Sequence, residues 1–480
     1  MCDFLGSDGS SCQFTNRQNE VQEVQRNGQT WCLAHLPLVE ADGKLSGDPF
    51  WDDANSGRLE SFIRDHTPRE IAASPQLELH GVVFPNAQGS NALTNLRTKG
   101  VIFHECCFLN VTFQQVPLSS VLFRNCMLAG TFRFESMHNT GNVAIEGGRI
   151  SANCSISGHS RRFRISSLPH ICEGQIQFHN LETGGLTLES TVFAESVSIS
   201  GTVRMDPVTI SKCRFVSGFN VSGLRPRRGL IIASTTFLAV FDASWPEPHD
   251  SSSAMDTDIR ATVFRNSTKF SRRIFPNQCL FGRDVTFDKA PQFFECEFNG
   301  TVQFPERSSF HGFEEGSAAA YRHLKHTMEG MRARHEEGLF NALEQEARRR
   351  NLQIATMDRV VATFYAYTSN YGTSLTRPIA WFGIFFFTFW FLSVVVFTPP
   401  NSHAPYYDGQ DWIRALQFVL LQTVRPFSAL FASALLKALD PLIELRKAVI
   451  CGLISAVYSL LILALVGEFL VALRWKFRRS

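Results

Sequence analysis

The chain has 480 residues, room for two or three structural units, and a net charge of +2. That balance excludes a generic nucleic-acid binder and an acidic mimic of one. Composition departs from the ordinary in one residue: there are 43 Phe against 7 Tyr and 7 Trp, so a specific architecture is consuming phenylalanine.

Met1, Cys2, Asp3 and Phe4 lack the basic and apolar regions of a secretory signal. The 12 Cys are spread along the chain rather than gathered into a short stapled module, and are expected to be mostly reduced, buried core residues in the cytoplasm. Residues 1–40 form a Cys-rich segment in which Cys2, Cys12, Cys32 and His35 are candidate metal ligands. The spacing Cys32-Leu-Ala-His35 lets both side chains reach one ion, and three thiolates with one imidazole suit a structural, tetrahedral zinc. A short polar segment has no core of its own, and metal would supply folding energy. Nine residues separate Cys2 from Cys12, longer than a usual zinc knuckle, and a loose tail with unrelated thiols is the alternative.

Residues 41–76 are a linker or cap, and residues 77–315 carry an internal repeat. Phe103, Phe108, Phe113, Leu118, Phe123 and Leu128 recur every five positions, each with a small or β-branched residue two before it: Val101, Cys106, Val111, Val116, Val121, Cys126. A second run, Phe264, Phe270, Phe275, Phe281, Phe287, Phe293, Phe298, Phe304 and Phe310, advances by five or six. Weaker copies at Phe193, Phe215 and Phe237 lie 22 residues apart. Neither a helix nor a flat strand has this period. It fits a chain that turns a corner after each short extended segment, four segments closing one square coil of a right-handed β-helix. Each central Phe or Leu then stacks on its equivalent in the next coil, and the array is a solenoid whose ends need caps.

At these residues the chain resembles the pentapeptide-repeat family, in a degenerate, Phe-rich form, over roughly Leu77 to Phe313. The resemblance is strong in the two Phe runs and weak from Arg133 to Ile210, where insertions such as Arg161-Arg162 break the period. Some members of that family mimic DNA, which needs a strongly acidic face. Residues 77–315 hold 22 Lys and Arg against 21 Asp and Glu, so no nucleic-acid role is expected. Asn110, Asn153, Asn220, Asn266 and Asn299 match the glycosylation pattern but read as corner residues of a cytoplasmic coil. The ending Cys-Leu-Ala-His-Leu-Pro also resembles a small zinc module found before bacterial pentapeptide repeats, which implies that all four N-terminal ligands are structural.

Residues 316–377 are a helical linker, with apolar residues at helical spacing over 318–331 and 339–349 and weak points at Gly330 and Gly338. The end Arg348-Arg349-Arg350 is either a contact for anionic headgroups or a solvated face. Tyr365, Tyr371 and Arg377 form an interfacial stretch leading to the membrane. Residues 378–480 are a two-span membrane domain. The first span, 379–397, carries no charge and covers about 28 Å at 1.5 Å per residue. The second, about 448–472, has Glu468 as its only charge, near enough to Arg474 to pair with the basic cluster or to snorkel. Arg474, Lys476, Arg478 and Arg479 favour a cytoplasmic C-terminus and hence a cytoplasmic N-terminal domain, although Arg446 and Lys447 oppose it.

Between the spans, residues 412–431 are too apolar for a loop, and Trp412, Leu416, Val419, Leu420 and Thr423 mark one helical face. Span, half-buried helix, turn, span resembles a potassium-channel pore module, and the whole layout resembles bacterial pentapeptide-repeat membrane proteins with an ion-channel-like C-terminus. Where a potassium filter would place glycines stands Thr423-Val424-Arg425-Pro426-Phe427. Arg425 would repel cations and Pro426 fixes its backbone, so a potassium filter is excluded. The expectation is a sensor or interaction scaffold anchored in a bacterial inner membrane, with a non-selective or anion-tolerant gated channel as the alternative. A homo-oligomer is implied, four copies by analogy only, with a protein partner on the coil surface. No phosphate loop, nucleophile elbow or two-histidine metal helix points to an enzyme. His323, His326 and His335 read as surface residues of a basic helix.

Overall fold

The computed structural model describes residues 76–85, 100–114, 119–166, 171–200, 203–205, 207–222, 224–226, 229–246, 254–350, 356–372, 374–397, 409–424 and 445–478, and, nearer the N-terminus, residues 5, 9, 11–12, 23–26, 28–32 and 35. The chain divides into two compact units, Met1–His323 and Leu324–Ser480.

The first unit is a β-solenoid. Short segments pair in parallel with the segment one coil away, so four sides are built simultaneously. The interior of the first side is an alternating file in which Leu77, Val101, Val121, Val143, Phe163, Leu186, Val208, Leu230, Thr257 and Cys279 succeed one another in register. On the second side Phe84, Phe108, Leu128, Ile150, Cys172, Phe193, Phe215, Phe237, Phe264, Phe287 and Phe310 form an unbroken ladder. Its last rings stack nearly flat: Phe215 on Phe237 at 4.9 Å and Phe237 on Phe264 at 5.1 Å, each pair 4° from parallel.

The sequence period maps directly onto this geometry. In the second Phe run one ring is spent per side, and each meets its equivalent one coil on: Phe264 with Phe287 at 5.2 Å, Phe270 with Phe293 at 4.9 Å, Phe275 with Phe298 at 4.9 Å and Phe281 with Phe304 at 5.3 Å. The first run does the same, with Phe103 on Phe123 at 5.1 Å and Phe113 on Phe134 at 4.8 Å. Such contacts add about 0.5–1.5 kcal/mol per pair to the burial of the rings themselves.

The small residue two before each second-side ring has a structural reason. Glu105, Asn125, Ser190, Lys212, Ser234 and Ala261 all take a left-handed φ of 47–54° at the corner leading to that side. The next residue turns inward beneath the bend, where only a compact side chain fits. Thr191, Thr235 and Thr262 are buried there, and each hydroxyl donates to the carbonyl two residues before it at 2.7–2.9 Å. Cys106 and Cys126 instead donate weakly to Leu79 and Phe103 carbonyls. Asn110 also sits at a left-handed corner, its side chain accepting from the Thr131 amide at 3.0 Å.

Where the sequence period fades, the solenoid continues. Coils vary from 20 residues (Val101 to Val121) to 27 (Leu230 to Thr257), because corners absorb extra residues while the sides keep register. Between 127 and 166 the strands Met127–Glu146 and Asn153–Ser166 run across corners, with a register shift at Ile156/Gly158. Arg161 and Arg162 simply point to solvent there.

One charged residue lies inside the coil. Arg273 is fully buried and donates to the carbonyls of Ala243 (2.6 Å), Leu224 (2.9 Å) and Val221 (3.0 Å), with its guanidinium 5.0 Å from the Trp245 ring. It therefore satisfies carbonyls from three successive stretches of chain, and burial pushes its pKa down to about 9. At the end of the solenoid, Tyr321 of helix α1 (Ser317–Gly330) is buried edge-on against Phe310, and its hydroxyl donates to the Gly312 carbonyl at 2.9 Å.

The second unit is helical: the latter part of α1, then α2 (Arg334–Arg350), α3 (Thr356–Ser369), α4 (Thr376–Phe397), α5 (Gly409–Val424) and α6 (Leu445–Arg478). Gly338 is an ordinary buried position within α2 rather than a break. In α2 the buried Glu344 receives Lys325 at 2.6 Å and Arg348 at 2.5 Å. Two stretches are long and apolar enough to cross a membrane, Thr376–Val395 and Gly452–Arg474, with mean hydropathies of 1.9 and 2.3.

Candidate functional site

Two places in the chain gather the residues singled out in the sequence. Near the N-terminus, Cys12, Cys32 and His35 converge, all buried, with their ligand atoms within 4.8 Å of one another. Cys32 follows the antiparallel pairing of Glu23–Arg26 with Gln29–Cys32, which brings its thiol 3.8 Å from that of Cys12. His35 Nδ1 lies 3.1 Å from Cys32 Sγ, and its other nitrogen, Nε2, meets the His80 carbonyl at 2.9 Å. A carbonyl partner fixes Nε2 as the N–H and leaves the Nδ1 lone pair facing the thiols, the arrangement that orients a metal-bound imidazole. The three side chains thus fit a soft tetrahedral ion such as zinc. Cys2, the fourth expected ligand, lies outside the described residues, as does the 41–75 part of the expected linker.

A second group, Glu78, His80 and His104, also brings ligand atoms within 4.8 Å. Its imidazoles lie flat on one another at 4.5 Å. An ion must sit in the plane of each ring it binds, so stacked rings cannot share one.

The other place is the approach to the membrane. Three consecutive residues, Asn370, Tyr371 and Gly372, take left-handed φ values of 53°, 59° and 78°. Glycine does so freely, but a tyrosine there is strained and needs the surroundings to hold it. Tyr371 is buried, and its hydroxyl donates to Glu346 Oε2 at 2.9 Å. Glu346 also receives Arg349 at 2.6 Å and Arg350 at 2.8 Å. Burial would raise this carboxyl, but the donors Arg349, Arg350 and Tyr371 outweigh it and hold the pKa down to about 2. The basic end of α2 therefore serves its own helix's carboxylates. At Gly372 an added Cβ would lie 2.8 Å from the Tyr365 hydroxyl and 3.2 Å from Val471, so the bend is tight against both α3 and α6. The Arg377 guanidinium reaches the Ala366 carbonyl at 3.4 Å and the Trp381 indole the Tyr367 carbonyl at 3.2 Å, pinning α4 to α3. Glu468 lies against the hydroxyls of Thr368 and Ser369, and among the described residues it makes no ion pair with Arg474. Sequence reading found Tyr371 and Glu468 but not their partners, because no local pattern links residues 346, 371 and 468.

Helix α5 packs between α4 and α6. Phe389, Phe418, Val419, Tyr458 and Ile462 form the buried cluster, with Phe389 stacked on Tyr458 at 4.1 Å. The Trp390 indole donates to the Trp412 carbonyl at 3.1 Å. Thr423 bonds the Tyr458 hydroxyl at 2.8 Å, so the first residue of the expected pore-like segment is tied to the second span. Val424 ends the helix and is exposed. Arg425, Pro426 and Phe427 lie outside the described residues, so the helix is described over 409–424 of the expected 412–431.

No protein-family model, curated protein or solved structure matches this chain.

Proposed function

We propose that this is a membrane-anchored repeat protein of the pentapeptide-repeat kind, a sensor or interaction scaffold rather than an enzyme. Its solenoid offers a stiff cytoplasmic surface to a protein partner, and its C-terminal helices hold it in a bacterial inner membrane as a homo-oligomer. The observation that carries the reading is how outward-facing the two long apolar helices are. Only 22% of the first window and 33% of the second are buried. The core helix of a soluble protein would be mostly covered, whereas lipid is the natural partner for Ile384, Phe387, Phe391, Leu460 and Leu463, all exposed.

The bend at Asn370–Gly372 suits a sensor. It ties α2, α3 and α6 to the start of α4, so a displacement of the linker helices would be felt by the spans. Zinc on Cys12, Cys32 and His35 would fasten the N-terminal segment to the first coil through the His35–His80 bond. The expected result for Cys32→Ser is loss of bound zinc by elemental analysis, and unchanged zinc would end that part of the proposal.

Alkaline carbonate washing of membranes tests the anchor. The intact protein should stay with the lipid pellet, and its release into the wash would sink the reading. The second reading, a gated channel without a potassium filter, is favoured by the seating of α5 between α4 and α6. Purified protein in a planar bilayer should then pass current, and silence at all voltages and tensions would exclude it.

A further inference from the structure

The three-helix packing of α4, α5 and α6 contains polar side chains that its own residues do not satisfy. Gln422 is fully buried, yet neither its amide nitrogen nor its amide oxygen has a hydrogen-bond partner among the described residues. The buried Ser455 hydroxyl is likewise unpartnered. An amide taken out of water with both ends unmet is strongly unfavourable, more so where the outer faces of the helices meet lipid.

The helices bring these groups to one level. On α5 the buried face runs Ala415, Phe418, Val419, Gln422, and on α6 it runs Ser455, Tyr458, Ser459, Ile462. Phe418 and Val419 share a cluster with Tyr458 and Ile462, and one step further along α5 Thr423 bonds Tyr458. Advancing on α5 therefore means retreating on α6. One turn beyond Val419 stands Gln422, and one turn before Tyr458 stands Ser455, so both flank the Thr423–Tyr458 bond. Every group there is neutral and able both to donate and to accept. That set suits water, which needs about two to four polar partners, better than an ion, which needs charge or several aligned oxygens.

We propose that Gln422 and Ser455 hold water inside the helix trio, beside the Thr423–Tyr458 bond. The inference rests on the membrane reading above and deepens it, because it makes α5 a wet element within the membrane rather than a dry wedge. Hydroxyl-radical footprinting with mass spectrometry, on the full chain in lipid nanodiscs, tests it. Tyr458 should be oxidised several-fold faster than Phe389, its equally buried stacking partner. Gln422→Leu should lower the Tyr458 rate at least threefold, and Ser455→Ala should lower it by less. A wild-type Tyr458 rate no higher than that of Phe389 would overturn the proposal without needing either variant to fold. So would a Gln422→Leu protein that melts higher than wild type with Tyr458 labelling unchanged, the mark of a dry amide. If carbonate washing releases the protein, the membrane reading fails first, whereas a pelleted protein with an unlabelled Tyr458 loses only the water.

Discussion

The solenoid and the helical membrane module are both rich in phenylalanine, but they use it in opposite ways. In the coil each ring has a fixed address. Phe237 touches Phe215 below and Phe264 above, and the polar residues admitted beside such rings (Thr191, Thr235, Thr262) return their hydroxyls to nearby carbonyls. In the membrane module, rings such as Phe387 and Phe391 face outward, while Gln422 and Ser455 are shut inside without protein partners. The solenoid was built against water, so burial and satisfaction had to coincide. A helix in lipid gains nothing by hiding a Phe, and its internal contacts are set by fit and by polar groups instead.

The sharpest way to break this contrast is to remove one ring from each region. Phe237→Ala should destabilise the solenoid by about 3–5 kcal/mol, the range for a buried aromatic whose cavity cannot collapse between two flat neighbours. Urea unfolding of the micelle-bound protein measures it, and a loss under about 1 kcal/mol would show that the ladder is not rigid. Next is Arg273→Met, which keeps the volume and leaves the carbonyls of Ala243, Leu224 and Val221 unmet. It should cost about 3 kcal/mol in the same assay, a penalty of unsatisfied groups rather than of lost charge.

Acid and alkali should then separate the two regions. Burial pushes the Cys172 and Cys296 thiols from the ordinary 9.0 up to about 12. The folded coil thus keeps protons that the unfolded chain loses above pH 9. Its stability is fully present below pH 9 and is lost as the pH rises toward 12. Glu346 runs the other way. Its carboxyl is held at about 2 against an ordinary 4.5, so its contribution is present above pH 4.5 and disappears as the pH falls toward 2. Hydrogen exchange by region should show the coil opening first in alkali and the 346–371 joint opening first in acid.

Smaller effects sharpen the picture. Tyr371→Phe deletes a bond to a carboxylate and should cost about 1.5–3 kcal/mol, read as faster exchange at the α3–α4 bend. Smallest of all, Phe387→Ala should change the melting temperature in nanodiscs by less than about 1 °C, because its ring is 61% exposed on α4. A large drop there would mean that a protein surface, not lipid, covers that face.

Much of this was legible in residues alone. The five- and six-residue steps from Phe264 to Phe310 define four sides, since a repeat of that length has no other way to bury one ring per step. The spans were legible because an uncharged run as long as 379–397 has few places to go. The stretch from Arg133 to Ile210 was harder to read, because corners there absorb insertions while hydrogen bonding across coils preserves register. That pairing is between residues some 20–27 apart and leaves no trace in a local window.

What the sequence determined by itself is therefore the repeat, the apolar spans and the ligand types near the N-terminus, all carried by spacing and residue type. Tertiary structure alone decided that Cys12 comes within reach of Cys32 and His35, that Arg273 turns inward, that Tyr371 reaches Glu346, and that Gln422 is sealed between helices. Each of these depends on groups distant in sequence meeting at hydrogen-bond or contact distance. Such meetings are settled by how whole elements pack, and no single stretch of chain encodes them.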